Sequence, residues 1–144
     1  MQPGDLERVF SLASAGALVG WILLAFAPLR REWAVTGARI VAAVLCGAYL
    51  SFLVAGLTSG DGPPEGAGFS SLAGVRLLLS TPEALLAGWV HYLAFDLFIG
   101  SWEVADAPQS RIPHWLLLPC LALTFVAGPV GLLLYLILKA VRQR

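Results

Sequence analysis

"WLLLPCLALTFVAGPVGLLLYLIL" occupies Trp115 to Leu138. Its length suits a bilayer, whose hydrocarbon core takes about 20 residues of helix. Two prolines interrupt it. Pro119 and Pro129 each lack a backbone donor and so free the carbonyls one turn earlier, at Trp115 and Phe125. Cys120, Thr124, Gly128 and Gly131 recur at helical spacing and give one small, weakly polar face. The stretch reads as a kinked membrane helix whose small face either borders a cavity or forms a packing seam.

Three earlier stretches have the same character, so the spans fall at about 9–28, 38–57, 84–103 and 115–138. Between the second and third lies "TSGDGPPEGAG", a loop punctuated by Gly and Pro. Then Phe69, Leu72, Val75 and Leu79 have helical spacing within a segment, 69–80, that is too short to span. It reads as an interfacial or re-entrant helix. Pro82 and Glu83 suit the first turn of the third span. The predicted fold is all-α: residues 1–144 form a single membrane domain, a bundle of four transmembrane helices plus the short helix.

Composition agrees. Charged residues make up 12% of the 144 and mean hydropathy is +0.81, values a soluble domain of this size could not sustain. Nine basic and nine acidic residues cancel, which leaves no bulk charge for a nucleic-acid partner. Cys46 and Cys120 sit in apolar runs and read as buried thiols. Gly16 with Gly20, and Gly47 with Ser51, have the small-xxx-small spacing of close helix contacts. Four crossings would put both ends of the chain on one side. Arg8, Arg76, Lys139, Arg142 and Arg144 would then oppose Arg30, Arg31, Arg39 and Arg111. Five against four sets no orientation under the positive-inside rule.

Ionisable groups inside a bilayer are expensive and mark function by default. The third span, "ALLAGWVHYLAFDLFIGSWE", keeps His91 and Asp96, each roughly 4 Å along the axis from its centre near Leu93. On a helix Asp96 shares a face with Trp89, Tyr92 and Glu103, with Gly100 beside it. His91 points elsewhere, toward the side of Phe95 and Trp102. The two groups therefore need separate partners, and Tyr49, Ser51 and Thr124 on other spans are candidates for His91. Either group serves as a structural hydrogen-bonding residue or as acid–base machinery. Glu103 belongs at the interface, and the loop "ADAPQSRIPHW" brings Arg111 and His114 to the same level. No phosphate-binding loop, dinucleotide fingerprint, HExxH or CxxC is present, so neither a cofactor nor a metal is expected.

The block from Gly66 to Lys139 resembles the abscisic-acid-deficient-four-like family of small polytopic proteins. The resemblance rests on "GFSSLAGVR", "WVHYLAFDLFIGSW", "IPHW" and "LPCLALTFVAGPVGLLLY", with "SLASAGALVGWILLAFAP" in the first span. The plant member is required for neoxanthin synthesis from violaxanthin. The resemblance implies a carotenoid or related isoprenoid lipid as partner. No plastid transit segment precedes the first span, which suggests a bacterial-type member in the inner membrane.

Chemistry of that kind, opening an epoxide without net redox change, needs an acid and a base and no cofactor. The expected roles follow. Asp96 and His91 are the candidate catalytic pair. Trp89, Tyr92, Phe95, Trp102, Thr124 and Cys120 would line an apolar cleft. Glu103, Arg111 and His114 would stand at its mouth. Two other readings remain open: a non-catalytic lipid-binding component, acting as a homo-oligomer or beside an enzyme, and a small proton-linked transporter.

Overall fold

A computed structural model describes residues 3–58 and 62–143. α1 spans Pro3–Ala25. A 3-10 turn, Ala27–Leu29, then leads into α2, Arg31–Thr58. A loop and the short helix α3, Leu72–Leu78, precede α4, Pro82–Asp106. α5 follows as His114–Arg142. No strand occurs among the described residues. α1, α2, α4 and α5 are each long and apolar enough to cross a membrane.

Local chemistry sets the boundaries. Pro28 stands at the start of the turn that separates α1 from α2. Ser71 caps α3 by accepting from the Gly74 amide at 3.0 Å. Thr81 accepts from Ala84 N at 3.3 Å, with Pro82 in the first turn of α4. α3 is shorter than the 69–80 segment the sequence suggested, because its cap falls at Ser71.

α1, α2 and α4 pack along their lengths around two apolar clusters. Ala13, Ala17, Leu45, Leu86 and Val90 form the cluster nearer the start of α1. Trp21, Leu24, Ala38, Leu97 and Val104 belong to the one nearer its end, and the buried residues of α5 join only this second cluster. Small residues allow close approach at particular points. A Cβ on Gly20 would meet Leu97, and one on Gly100 would meet Trp21. Gly16 and Gly47 have nothing within 4 Å, and Ser51 bonds its own helix at Gly47 O, so the expected small-residue seam on α2 does not form. Cys120 is buried, but Cys46 lies exposed on the outer face of α2, contrary to its reading as a core thiol.

The outer surface carries Leu12, Val19, Phe26, Ile40, Val44 and Val126. Their arrangement all around the bundle is that of a surface solvated by lipid.

α5 is not one rod. Ala127 leaves helical geometry, with φ −152° and ψ 68°, and the chain reverses there. Three relationships show the reversal. Gly131 lies against the backbone of Thr124 and Cys120. Tyr135 and Lys139 reach Asp106, just before α5 begins. Arg142 and Gln143 share a recess with Gln109, Ser110 and Arg111. A straight helix would carry Lys139 about 38 Å from His114. Each arm of the hairpin is instead about 20 Å long, short of a bilayer's 30 Å. The small face of Cys120, Thr124, Gly128 and Gly131 is therefore the seam between the two arms.

Candidate functional site

The site is built where the hairpin tip meets α4. Breaking a helix in an apolar environment strands carbonyls on one side and amides on the other, at several kcal/mol (about the transfer cost of a bare peptide group) each. Two side chains of α4 meet both sets. The Tyr92 hydroxyl lies 3.2 Å from Phe125 O and 3.1 Å from Val126 O, at the end of the first arm. Asp96, one turn on, sets its carboxyl against Gly128 at the start of the return arm, beside the Gly128 amide and the Tyr92 hydroxyl. Pro129 follows Gly128 in the first turn of that arm, where its missing N–H costs nothing. Asp96 thus stands where an N-cap supplied from another helix would, with its carboxyl at the favourable end of the return arm's dipole. A Cβ on Gly128 would displace the Asp96 carboxyl.

Depth agrees with this assignment. Asp96 precedes Asp106 by ten residues, or about 15 Å of helix, close to the length of one arm. The base of the hairpin is tied at Asp106, whose carboxylate receives Lys139 at 2.7 Å, the Tyr135 hydroxyl at 2.5 Å and Ser110 at 2.9 Å. The Trp102 ring stands edge-on to Tyr135 with centroids 5.4 Å apart, and the Lys139 ammonium lies 5.5 Å from the Trp102 centroid.

Because the hairpin covers only one half of the bundle, the other half of the α1–α4 face stays open. A groove of about 420 Å³ results, lined by Ser14, Leu18, Trp89, Tyr92, Phe125 and Val126 among others. Its volume falls within the roughly 300–1,000 Å³ of small-molecule sites. Trp89 stacks on Tyr92 at 5.3 Å, packs near Phe10 at 5.6 Å, and donates its indole N–H to Ser14 at 3.1 Å. The Tyr92 hydroxyl is the polar group at the head of this apolar groove.

The expected site residues separate into four places. Trp89 and Tyr92 line the groove, and Asp96 stands behind Tyr92 at the hairpin tip. His91 and Phe95 stack on each other at 4.4 Å on the exposed outer face, with Tyr49 edge-on to His91 at 5.5 Å. His91 therefore does not share a cleft with Asp96, as helical geometry required. Thr124 and Cys120 are fully buried in the hairpin seam. Trp102 sits at the hairpin base with Tyr135.

The proposed mouth also divides. Glu103 is fully buried rather than interfacial. Thr124 Oγ1 donates to its Oε1 at 3.0 Å, and its Oε2 has no partner. The physical reason is the hairpin: the arms cover α4 almost to its end, so a residue at interfacial height is shielded from both lipid and water. His114 joins the ends of two helices, its Nε2 lying 2.8 Å from Ala25 O. Arg111 is exposed in the connecting loop, with a left-handed φ of 53°. Tyr135, Ser110 and Lys139 are the polar residues that sequence reasoning passed over. They could have been found only by reading Gly128-Pro129 as a turn, since Gly-Pro is a chain-breaking dipeptide.

The model for the family described as ABA DEFICIENT 4-like matches residues 8–135. No curated protein matches the chain, and no solved structure matches it. The protein belongs to the ABA DEFICIENT 4-like family.

Proposed function

We propose that this family member binds a carotenoid-like or related isoprenoid lipid in the groove between α1 and α4. The observation that carries this reading is the groove itself: mostly apolar and aromatic, open to the side where lipid would lie, with the Tyr92 hydroxyl at one end and the Ser14 hydroxyl taken up by the Trp89 indole. An isoprenoid chain would lie along Leu18, Trp89 and Val126. An oxygenated end group would meet Tyr92. The family's resemblance-based link to xanthophyll metabolism supplies the lipid class, and the groove's chemistry is compatible with it.

Binding is favoured over acid–base isomerisation by the position of the ionisable groups. Asp96 is engaged with the Gly128 amide, and His91 lies on the opposite outer surface. A reaction would have to use Asp96, whose Oδ2 is free of partners, acting through Tyr92. The test is purification from the native membrane followed by mass spectrometry of retained lipids and pigments. An isoprenoid should be held by the wild type and lost from Leu18→Trp, which fills the groove. If the wild type retains none while folded, the reading fails. If Asp96→Asn retains the lipid but changes its structure relative to wild type, isomerisation replaces simple binding.

A further inference from the structure

The fold-back of α5 changes the sidedness of every loop after α4. α1 runs from one face, which we term the near face, to the far face. α2 returns, and α4 crosses again, so Asp106 and the base of the hairpin lie at the far face with Ala25 and the α1–α2 turn. His114 bonded to Ala25 O fixes that level directly. Both arms of α5 begin and end there, since Lys139 and Tyr135 meet Asp106.

Charge then separates sharply. The far half holds Arg30, Arg31, Arg39, Arg111, Lys139 and Arg142. Arg39 starts within α2 but reaches Ser101 near the end of α4, at 3.3 Å. Against these stand Glu32, the buried Glu103 and Asp106, the last already bonded by Lys139, Tyr135 and Ser110. The near face holds Arg8 and Arg76 with Asp5, Glu7, Glu65 and Glu83. The balance of five basic residues against four that a four-crossing chain would show becomes a strong bias.

We propose that the protein crosses the membrane three times, with α5 entering and leaving through the far face, and that this basic face lies on the cytoplasmic side against anionic phospholipid headgroups. The positive-inside rule places the basic face there. The recess of about 260 Å³ between Gln109, Ser110, Arg111, Arg142 and Gln143 supplies the headgroup contact, as it presents two guanidinium groups and no acidic side chain. Arg111 holds its place by a left-handed backbone conformation, which a non-glycine residue adopts only when its surroundings impose it. The near face, poor in basic groups, offers anionic lipid nothing comparable.

The test uses the full chain in sealed vesicles. Glu7→Cys and Gln143→Cys are labelled separately with a membrane-impermeant maleimide, the wild type serving as blank. In right-side-out vesicles Glu7→Cys should react at once, and Gln143→Cys only after permeabilisation. Labelling of both from one side would establish an even number of crossings and overturn the proposal, as would the reverse pattern. For the lipid contact, the protein is placed in nanodiscs of mixed phosphatidylglycerol and phosphatidylcholine, and retained lipid is read by native mass spectrometry. Arg111→Gln and Arg142→Gln should each reduce the phosphatidylglycerol preference by about fivefold, as expected for one basic residue near an anionic surface. Unchanged preference in the double variant, with the fold intact, would overturn the headgroup contact.

Discussion

Lys139 Nζ lies 2.7 Å from Asp106 Oδ2, although the two residues are 33 positions apart and α5 has to reverse to bring them together. Tyr135 and Ser110 share the same carboxylate. This cluster closes the open end of the hairpin, as Tyr92 and Asp96 close its tip. Both side chains of the ion pair are partly exposed, so its strength lies between that of a surface pair and a buried one. A double-mutant cycle with Asp106→Asn and Lys139→Met should give a coupling of about 1 kcal/mol by denaturant unfolding in detergent. Additive single variants would mean that the pair does not hold the return arm.

Gly131 should tolerate no side chain. A Cβ there would overlap the Thr124 backbone, which cannot move aside as a flexible side chain could. Gly131→Ala is expected to cost about 1–3 kcal/mol or more by overpacking. Gly47→Ala is the control, since its Cβ meets nothing and removal of a helical glycine gains roughly 0.5–1 kcal/mol. Thermal unfolding of the two variants side by side should move the midpoint in opposite directions.

Asp96 should accept asparagine better than leucine. Asparagine can cap the return arm in place of aspartate, whereas a residue lacking an acceptor loses about 1 kcal/mol at an exposed cap. The loss for Asp96→Leu should exceed that, because the Gly128 amide would face an apolar side chain with no water to replace the bond. Hydrogen exchange at Gly128 reports this site locally. Faster exchange in Asp96→Leu than in Asp96→Asn is the expected order, and equal rates would remove Asp96 from its capping role.

The long helices were legible because bilayer-length apolar runs leave the backbone few alternatives. The shared face of Trp89, Tyr92, Asp96 and Glu103 was legible for the same reason: helical geometry fixes it whatever the neighbours are. The hairpin was not. Pro129 in an apolar run is equally consistent with a kink and with a full reversal, and the difference rests on tertiary partners. Reversal becomes affordable only when Tyr92 meets the carbonyls of Phe125 and Val126 and Asp96 meets the Gly128 amide, contacts made between distant parts of the chain. The burial of Glu103 followed from the hairpin and was hidden with it.

His91 provides the sharpest contrast between the groove and the outer surface. It stacks on Phe95 away from the groove, so His91→Ala should leave retained isoprenoid lipid at the wild-type level. Trp89→Ala removes the largest ring of the groove and should reduce it markedly, with folding checked by unfolding midpoint. Loss of lipid from His91→Ala, with Trp89→Ala unaffected, would move the site to the outer face.

The reversal of α5 underlies the groove, the capped tip and the basic face together, and one distance measurement tests it. Spin labels at Trp115→Cys and Val141→Cys, both exposed positions, can be read by pulsed electron resonance in a Cys46→Ala background. A hairpin with helix axes about 8–10 Å apart predicts a label separation of about 15–25 Å. A continuous helix would place the two backbones about 39 Å apart, and a distance near that value would contradict the account.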